Sequence, residues 1–448
     1  MEKRRHSLKT SKIFLVLFSM LLVAAILLAG CGKTTSSTQT QTSTSGSTTS
    51  TNTAAQYIKI GSLAPTDGPY AAMGLAMHHL LNIWADDFNK AGGITVNGVK
   101  YLVQTHNYDN GSWDPAVSLK SFQQATTQDG VNFVIMAGHN ITTTNIAEWS
   151  KTLSFKTLIF AWGVTTADGP NTPNVLGYTG WPCTHVPMFT WIAKDMANTS
   201  KKVYLMTPSG AAYSVDNVAW EEIGADTTGF TTLGLQQFDM AATDYSPIMA
   251  PVVAAKPDLI YQGTGGAGAH TYSVEAAREL GYTGKFFMQS MDYATMAQQV
   301  PADYIEGIYA GYGDWDKPSD NAGLNRIHQY YNEFIAKYPG QWVGDANLEL
   351  YAAEMLVTGI KLSNSVDPGK VEEALLAQKT IDHPLLGQSV WGGQELYGAN
   401  RFLMTPYVIA QVKNKQIVNV GVQTWTDWAS NPANMQKAHD ILQKLGGL

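Results

Sequence analysis

From Tyr57 onward, short apolar runs alternate with amphipathic stretches, and this rhythm constrains the fold more than any other feature of the chain. Tyr57 to Leu63 reads as a strand and Gly68-Pro69 as a turn. Tyr70 to Ala91 reads as a helix, because Ala76, Leu80, Trp84 and Phe88 recur every four residues on one face. Gly92-Gly93 then ends it. Val99 to Thr105 alternates as a strand does, and Asp114-Pro115 caps and opens a second helix ending near Gly130. Val131 to Met136 is uniformly apolar except for Asn132, as in a strand buried on both faces. Repeated strand, helix and strand predict a parallel sheet covered by helices.

A further strand, Lys156 to Ala161, precedes a Gly/Pro/Asn-rich interval from Gly163 to Gly180, a natural crossing point. The alternation then restarts. Strands are expected at Val203 to Thr207, Thr231 to Phe238 and Asp258 to Gln262, with helices at Tyr213 to Gly224, Tyr245 to Lys256 and Gly268 to Gly281. Pro251 should kink or shorten the helix that contains it. Another strand is expected near Ile305 to Tyr309, long helices at Leu324 to Tyr338 and Asp345 to Leu362, and hairpin-like runs at Pro406 to Val412 and Gln416 to Val422. The pattern predicts two similar α/β lobes with more than one strand passing between them.

The chain ahead of this body is different. Lys3, Arg4, Arg5, Lys9 and Lys12 precede an apolar run from Ile13 to Leu28, the order of an export signal. Leu28-Ala29-Gly30-Cys31 closes it and resembles the lipobox of bacterial lipoproteins, in which the peptide is cut before a cysteine that is then acylated. The same run could alternatively remain as an uncleaved membrane helix. Sixteen of the twenty residues from Thr34 to Thr53 are Ser or Thr, which suits a tether and not a packed core. Removing residues 1–30 takes away five basic residues and one acidic one, leaving 24 against 35 and a net charge of −11. That balance argues against nucleic acid as a partner.

Cys183 is then the one cysteine besides the anchor, so no intramolecular disulfide is available to the folded body. His185 stands two residues away, but a small buried thiol is the expected role. Gly263, Gly265 and Gly268 fit the spacing of a dinucleotide loop. They lack an identifiable ribose partner, so the turn is not read as a cofactor site. No Gly-x-Ser-x-Gly elbow occurs, and His78-His79 are adjacent on a helix, about 100° apart, which prevents a same-face metal pair. No cofactor, no metal and no enzymatic activity are expected, with a hydrolase as a remote alternative.

The body resembles the type I periplasmic binding proteins of the leucine/isoleucine/valine class, the substrate-binding components of ABC importers. The resemblance rests on Ile58 to Tyr70, on Asn89-Lys90-Ala91-Gly92-Gly93-Ile94 with Asn97-Gly98, on Thr243-Asp244-Tyr245-Ser246-Pro247, on Ala255-Lys256-Pro257-Asp258, and on Ala276 to Gly281. It implies two Rossmann-like lobes joined by a multi-strand hinge, with a cleft that closes on a small solute. On that basis residues 1–30 are the signal peptide and 31–56 the lipidated cysteine and tether. Residues 57–180 with 307–385 form lobe 1, 181–306 with 386–430 form lobe 2, and 431–448 form a C-terminal helix.

The resemblance also transfers a ligand site. Thr142, with Thr143, in Gly138 to Thr144 falls where the family holds a carboxylate, at a helix start whose N–H groups favour an anion; a threonine there could equally serve as a helix cap. Gly163 and Thr165 give the next contacts, and Tyr213 matches a cleft tyrosine. The family's ammonium-binding acid aligns with Ser290, with Asp292 two residues on. Its second-lobe tyrosine aligns with Gly266-Ala267, and its first-lobe aromatic with Met73. Trp162 replaces a small residue, with Trp113, Trp149, Tyr213 and Tyr293 available to line the same space or simply to pack. The implied ligand is a carboxylate or neutral polar molecule with an apolar or aromatic body, because an unpaired buried ammonium is costly. The expected protein is a monomeric extracytoplasmic lipoprotein, anchored to the bacterial membrane through Cys31 and serving ABC permease subunits. The alternative is a ligand-sensing lipoprotein that feeds a signalling receptor.

Overall fold

The computed structural model describes residues 56–445 except 138–144, 147, 154–155, 163–169, 171, 210, 240, 265, 290 and 312–314. The first sheet contains β1 (Gln56–Ala64), β2 (Ile94–Val96), β3 (Val99–Asp109), β4 (Phe133–Met136), β5 (Leu158–Trp162) and β6 (Val175–Tyr178). The second contains β7 (Lys202–Pro208), β8 (Thr231–Phe238), β9 (Leu259–Gln262), β10 (Lys285–Met288) and β11 (Tyr309–Gly311). The chain then returns to the first sheet for β12 (Thr380–His383), β13 (Gly387–Gly392) and β14 (Phe402–Met404), and ends in the second with β15 (Tyr407–Lys413) and β16 (Gln416–Gln423). The orders are β12-β13-β14-β6-β5-β4-β1-β3-β2 and β16-β15-β11-β10-β9-β7-β8. The central pairs of both sheets are parallel and the added edge strands antiparallel.

Among the described residues, the helices of seven residues or more are α1 (Ala71–Lys90), α2 (Pro115–Gln123), α3 (Trp181–Asp195), α4 (Ala211–Thr227), α5 (Ser246–Ala254), α6 (Gly266–Glu279), α7 (Tyr293–Gln299), α8 (Ala322–Lys337), α9 (Asn347–Ser363), α10 (Pro368–Leu376) and α11 (Pro432–Leu445). Local chemistry explains several ends. Asp114 accepts the N–H groups of Ala116 and Val117 and Pro115 opens α2, as the sequence implies. Asn97 (φ 49°) and Gly98 (φ 79°) make the two-residue turn between β2 and β3. Asn414 (φ 53°) and Lys415 (φ 60°) repeat it between β15 and β16, where the Glu306 carboxylate accepts both of their N–H groups, at 2.8 and 2.9 Å. Pro251 lies inside α5, which is nine residues long and so shorter than the expected Tyr245 to Lys256.

Three expectations need correction. The strand expected near Ile305 to Tyr309 is a short helix, Ala302–Ile305, followed by β11 at Tyr309–Gly311. β11 belongs to the second sheet, so the return to the first lobe comes after 311 and not at 307. β13 and β14 extend the first sheet, so 387–404 belongs to lobe 1, and the last crossing falls at 405–406 and not at 386. Short antiparallel strands at a sheet edge carry no mark of which sheet they join, which is why the pattern misplaced them. α3 was not anticipated, because Pro182 and Pro187 interrupt its sequence.

The crossings fix the orientation of the lobes. Two residues separate the carboxyl end of β6, in the first sheet, from α3, which packs on the second lobe's core. Two residues also join β14 to β15. β14 pairs with β6 in one sheet and β15 with β11 in the other. The carboxyl ends of the parallel strands in both sheets therefore face the space between the lobes, the edge where open α/β sheets bind ligands.

Candidate functional site

The first lobe brings an aromatic pair to this edge. Ser112 (φ 51°) and Trp113 (φ 67°) are consecutive left-handed residues, a conformation that bulky side chains avoid. Three contacts hold it: Asn110 Oδ1 accepts the Trp113 N–H at 3.2 Å, the Ser112 hydroxyl donates to the Asp67 carbonyl at 2.7 Å, and Asp114 N–H donates to the Gly111 carbonyl at 3.0 Å. The indole N–H of Trp113 donates to the Ala137 carbonyl at 2.8 Å, one residue past the end of β4. Its ring meets Tyr70 edge to face, with centroids 4.4 Å apart. Sequence reasoning placed Trp113 only among several tryptophans that might line the space, and it did not select Tyr70. The turn-rich Asn110-Gly111-Ser112 before Trp113 was the available signal.

Tyr70 also reports on the opposing lobe. Its hydroxyl is held above the usual tyrosine range, first by burial and second by the charge of Asp239, which follows β8 in the second lobe. Asp239 is exposed. The buried Tyr245 is raised first by burial, then by the charge of Asp239 and by Tyr272, so the same carboxylate acts on a tyrosine of each lobe.

Beneath the second lobe's edge lies a buried polar network. His185 Nδ1 and the Tyr261 hydroxyl are 2.8 Å apart, and its Nε2 is 2.9 Å from Asn217 Oδ1. Asn217 Nδ2 donates to Glu221 Oε1 at 2.8 Å and to the Thr207 hydroxyl at 3.2 Å. Burial lowers His185 to about 3 and raises the Glu221 carboxyl well above its ordinary value, so in both groups burial works against the charged form. A Cβ on Gly263 would stand 2.1 Å from Glu221 Oε1 and 2.8 Å from His185 Cε1. The glycine at the end of β9 is therefore explained by close packing on this network, without any phosphate. Cys183 is fully buried, and burial pushes its thiol up to about 12, which fits the inert role expected of it.

Of the residues transferred by resemblance, Thr142, Thr143, Gly163, Thr165, Ser290 and the anchor Cys31 lie outside the described residues. For Tyr213 and Ala267 only the backbone is described, in the first turns of α4 and α6, after β7 and β9. Met73 and Trp162 are buried in the first lobe's apolar core, with Trp162 paired to Tyr178 at the end of β5. Trp149 packs on a separate cluster with Leu63 and Met136. Asp292 caps α7: Oδ1 accepts the Thr295 N–H at 3.1 Å and Oδ2 the Thr295 hydroxyl at 2.6 Å. Tyr293 donates its hydroxyl to the Lys415 carbonyl in the β15–β16 turn, which draws it away from the tryptophans it was expected to join.

A family model described as periplasmic binding protein matches residues 57–416. The fold is similar to the leucine-binding protein LivK of Thermotoga maritima, at 18% identity over 83% of this chain and 99% of that one, with a TM-score of 0.62. It is also similar to an ABC-transporter solute-binding protein of R. palustris solved with 4-hydroxybenzoate, at 18% identity over 82% and 97%, TM-score 0.63. A substrate-binding protein of an Aeropyrum pernix ABC transporter matches at 15% identity over 86% and 100%, TM-score 0.70.

Proposed function

Because the chain belongs to the periplasmic binding protein family and is a solute-binding protein of the ABC-transporter type, we propose that it is a lipid-anchored receptor for a small organic carboxylate with an aromatic or apolar body. The observation that carries the ligand class is the Trp113 turn. It spends a strained backbone and a buried indole to put an aromatic surface, backed by Tyr70, beside the carboxyl end of β4. A flat apolar body stacks there, and the segment that follows, containing Thr142 and Thr143, receives the carboxylate. Gly163 and Thr165 extend that first-lobe contact. Closure brings Tyr213, Ala267 and Ser290 from the second lobe. The commitment of both Asp292 oxygens to Thr295 supports the absence of an ammonium partner at that position. Solved relatives with bound 4-hydroxybenzoate and benzoate make aromatic acids the first compounds to try.

A second reading has one observation in its favour. Asp239 is an exposed second-lobe carboxylate whose charge helps to raise the first lobe's Tyr70, and it would suit the ammonium of an amino acid. A thermal-shift screen of residues 57–448 separates the two, since a ligand at a hundred times its Kd adds about 2.7 kcal/mol. Benzoates are expected to stabilise and leucine or valine not. Tighter binding of leucine or valine than of every non-amino carboxylate would sink the first reading. Anchoring is tested independently: the full chain should partition into the detergent phase, and Cys31→Ser should move it to the aqueous phase.

A further inference from the structure

A cavity lies between β13 and β14 of the first sheet and the C-terminal segment. It measures about 670 Å³, within the range of small-molecule sites. Trp391 and Met404 line one wall, on β13 and β14 of the first sheet. Trp425 and Met435 line the other, in the C-terminal segment. That segment is fastened to the second lobe's α4: Trp428 donates to the Thr227 hydroxyl at 2.8 Å, and Lys437 pairs with Asp226 at 2.7 Å. The C-terminal wall is thus fastened to α4 while Trp425 and Trp428 share an apolar cluster with Met404 of the first sheet, at the place where Trp220 of α4 donates to the Tyr397 hydroxyl at 3.3 Å.

The chemistry of the lining is one-sided. Trp391 has its N–H satisfied by the Leu375 carbonyl at 2.9 Å, which leaves the ring face as its contribution. Trp425 is stacked on Trp428, with centroids 5.6 Å apart. Glu395 is exposed at the rim and has no ion-pair partner among the described residues. None of the described lining residues is Lys or Arg. The nearby cations are already engaged, Arg401 by Glu372 and Lys437 by Asp226. His439, also on the rim, has Asp440 3.9 Å away. Aromatic faces beside an unpaired carboxylate attract a cation.

The geometry points to a second ligand site, distinct from the solute cleft, that takes a flat apolar molecule bearing a positive charge. An occupant contacts β13 and β14 of the first sheet on one side and the C-terminal segment, fastened to α4, on the other. Isothermal titration of the purified protein with benzyltrimethylammonium, benzyl alcohol and benzoate tests the site. The ammonium compound is expected to bind more tightly than benzyl alcohol. Glu395→Gln is expected to weaken it about tenfold, and Trp391→Leu by a similar factor. Glu395 is an exposed rim residue, so its substitution leaves the fold in place. Failure of benzyltrimethylammonium to bind at millimolar concentration overturns the proposal. So does an affinity that Glu395→Gln leaves unchanged, or a preference for the neutral alcohol.

Discussion

Glu349 gives the sharpest quantitative test of how the first lobe is built under its ligand edge. It lies in the first turn of α9, is 1% exposed, and accepts the Ser62 hydroxyl from β1 at 3.1 Å. Burial pushes its carboxyl from 4.5 up to about 8, and the Ser62 bond offsets only part of that rise. Below the unfolded value both states are protonated and the group carries no penalty. As pH rises from there toward the folded value, only the unfolded chain releases the proton, and stability falls by about 1.4 kcal/mol per pH unit. Across the whole interval the loss reaches roughly 5 kcal/mol, complete near pH 8. Glutamine has the shape of the protonated acid, keeps an acceptor for Ser62, and cannot ionise. Glu349→Gln should therefore change stability little at pH 5 and raise it by several kcal/mol at pH 8. With an unfolding entropy of about 0.8 kcal/mol/K for a body of this size, the Tm gain at pH 8 is about 5 °C. Scanning calorimetry of both proteins at the two pH values reads this directly. Parallel Tm profiles for wild type and variant would refute the buried, raised carboxyl.

Three further outcomes are expected. Trp113→Phe keeps an apolar ring but loses the indole donor to the Ala137 carbonyl, and should weaken an aromatic carboxylate found in the screen about fivefold by isothermal titration; an unchanged Kd would place the ligand away from this turn. Cys183 should resist a thiol reagent at pH 8 in folded 57–448 and react within minutes in denaturant, whereas rapid native labelling would contradict its burial. Gly263→Ala drives a Cβ to 2.1 Å from Glu221 Oε1 and should cost about 1–3 kcal/mol, read as a lowered midpoint in urea; an unaltered midpoint would show that the network yields freely.

β1, β3, β4, β5, β7, β8 and β9 were legible as short apolar or alternating runs and the long helices as apolar stripes, whereas β6 and β10 were not read. β4 and β5 are buried at every position, as their unbroken apolar sequences imply. The Asp114 cap of α2 could be read from spacing alone. α3 could not, because it is buried nearly all round and carries two prolines, which erases both the stripe and the continuity that mark a helix. The edge strands β12 to β14 depend on a crossing that happens after they are made, which no local pattern encodes. At the candidate site, the family resemblance points to segments after the strand ends, and Thr142, Thr143, Gly163, Thr165 and Ser290 among them lie outside the described residues. Sequence reasoning missed Tyr70 and the strained Trp113, because a left-handed tryptophan is set by Asn110, Asp67 and Ala137 acting together and not by its own propensity.

The same topology explains why a binding protein of this kind keeps a buried polar network where an apolar core would pack as well. Two of the three crossings are two residues long, and they sit side by side, since β14 pairs with β6 and β15 with β11. Such short connections permit rotation about one axis and little else, so closure can be specific only if each lobe turns as a rigid body. His185, Asn217, Glu221, Tyr261 and Thr207 tie α3, α4, β7 and β9 together just below the second lobe's ligand edge. Directional hydrogen bonds fix orientation in a way that apolar contacts do not. Keeping the network uncharged avoids the desolvation cost of a buried ion. Burial acts on both titratable members in the direction that disfavours charge, lowering His185 to about 3 and raising the Glu221 carboxyl well above its ordinary value.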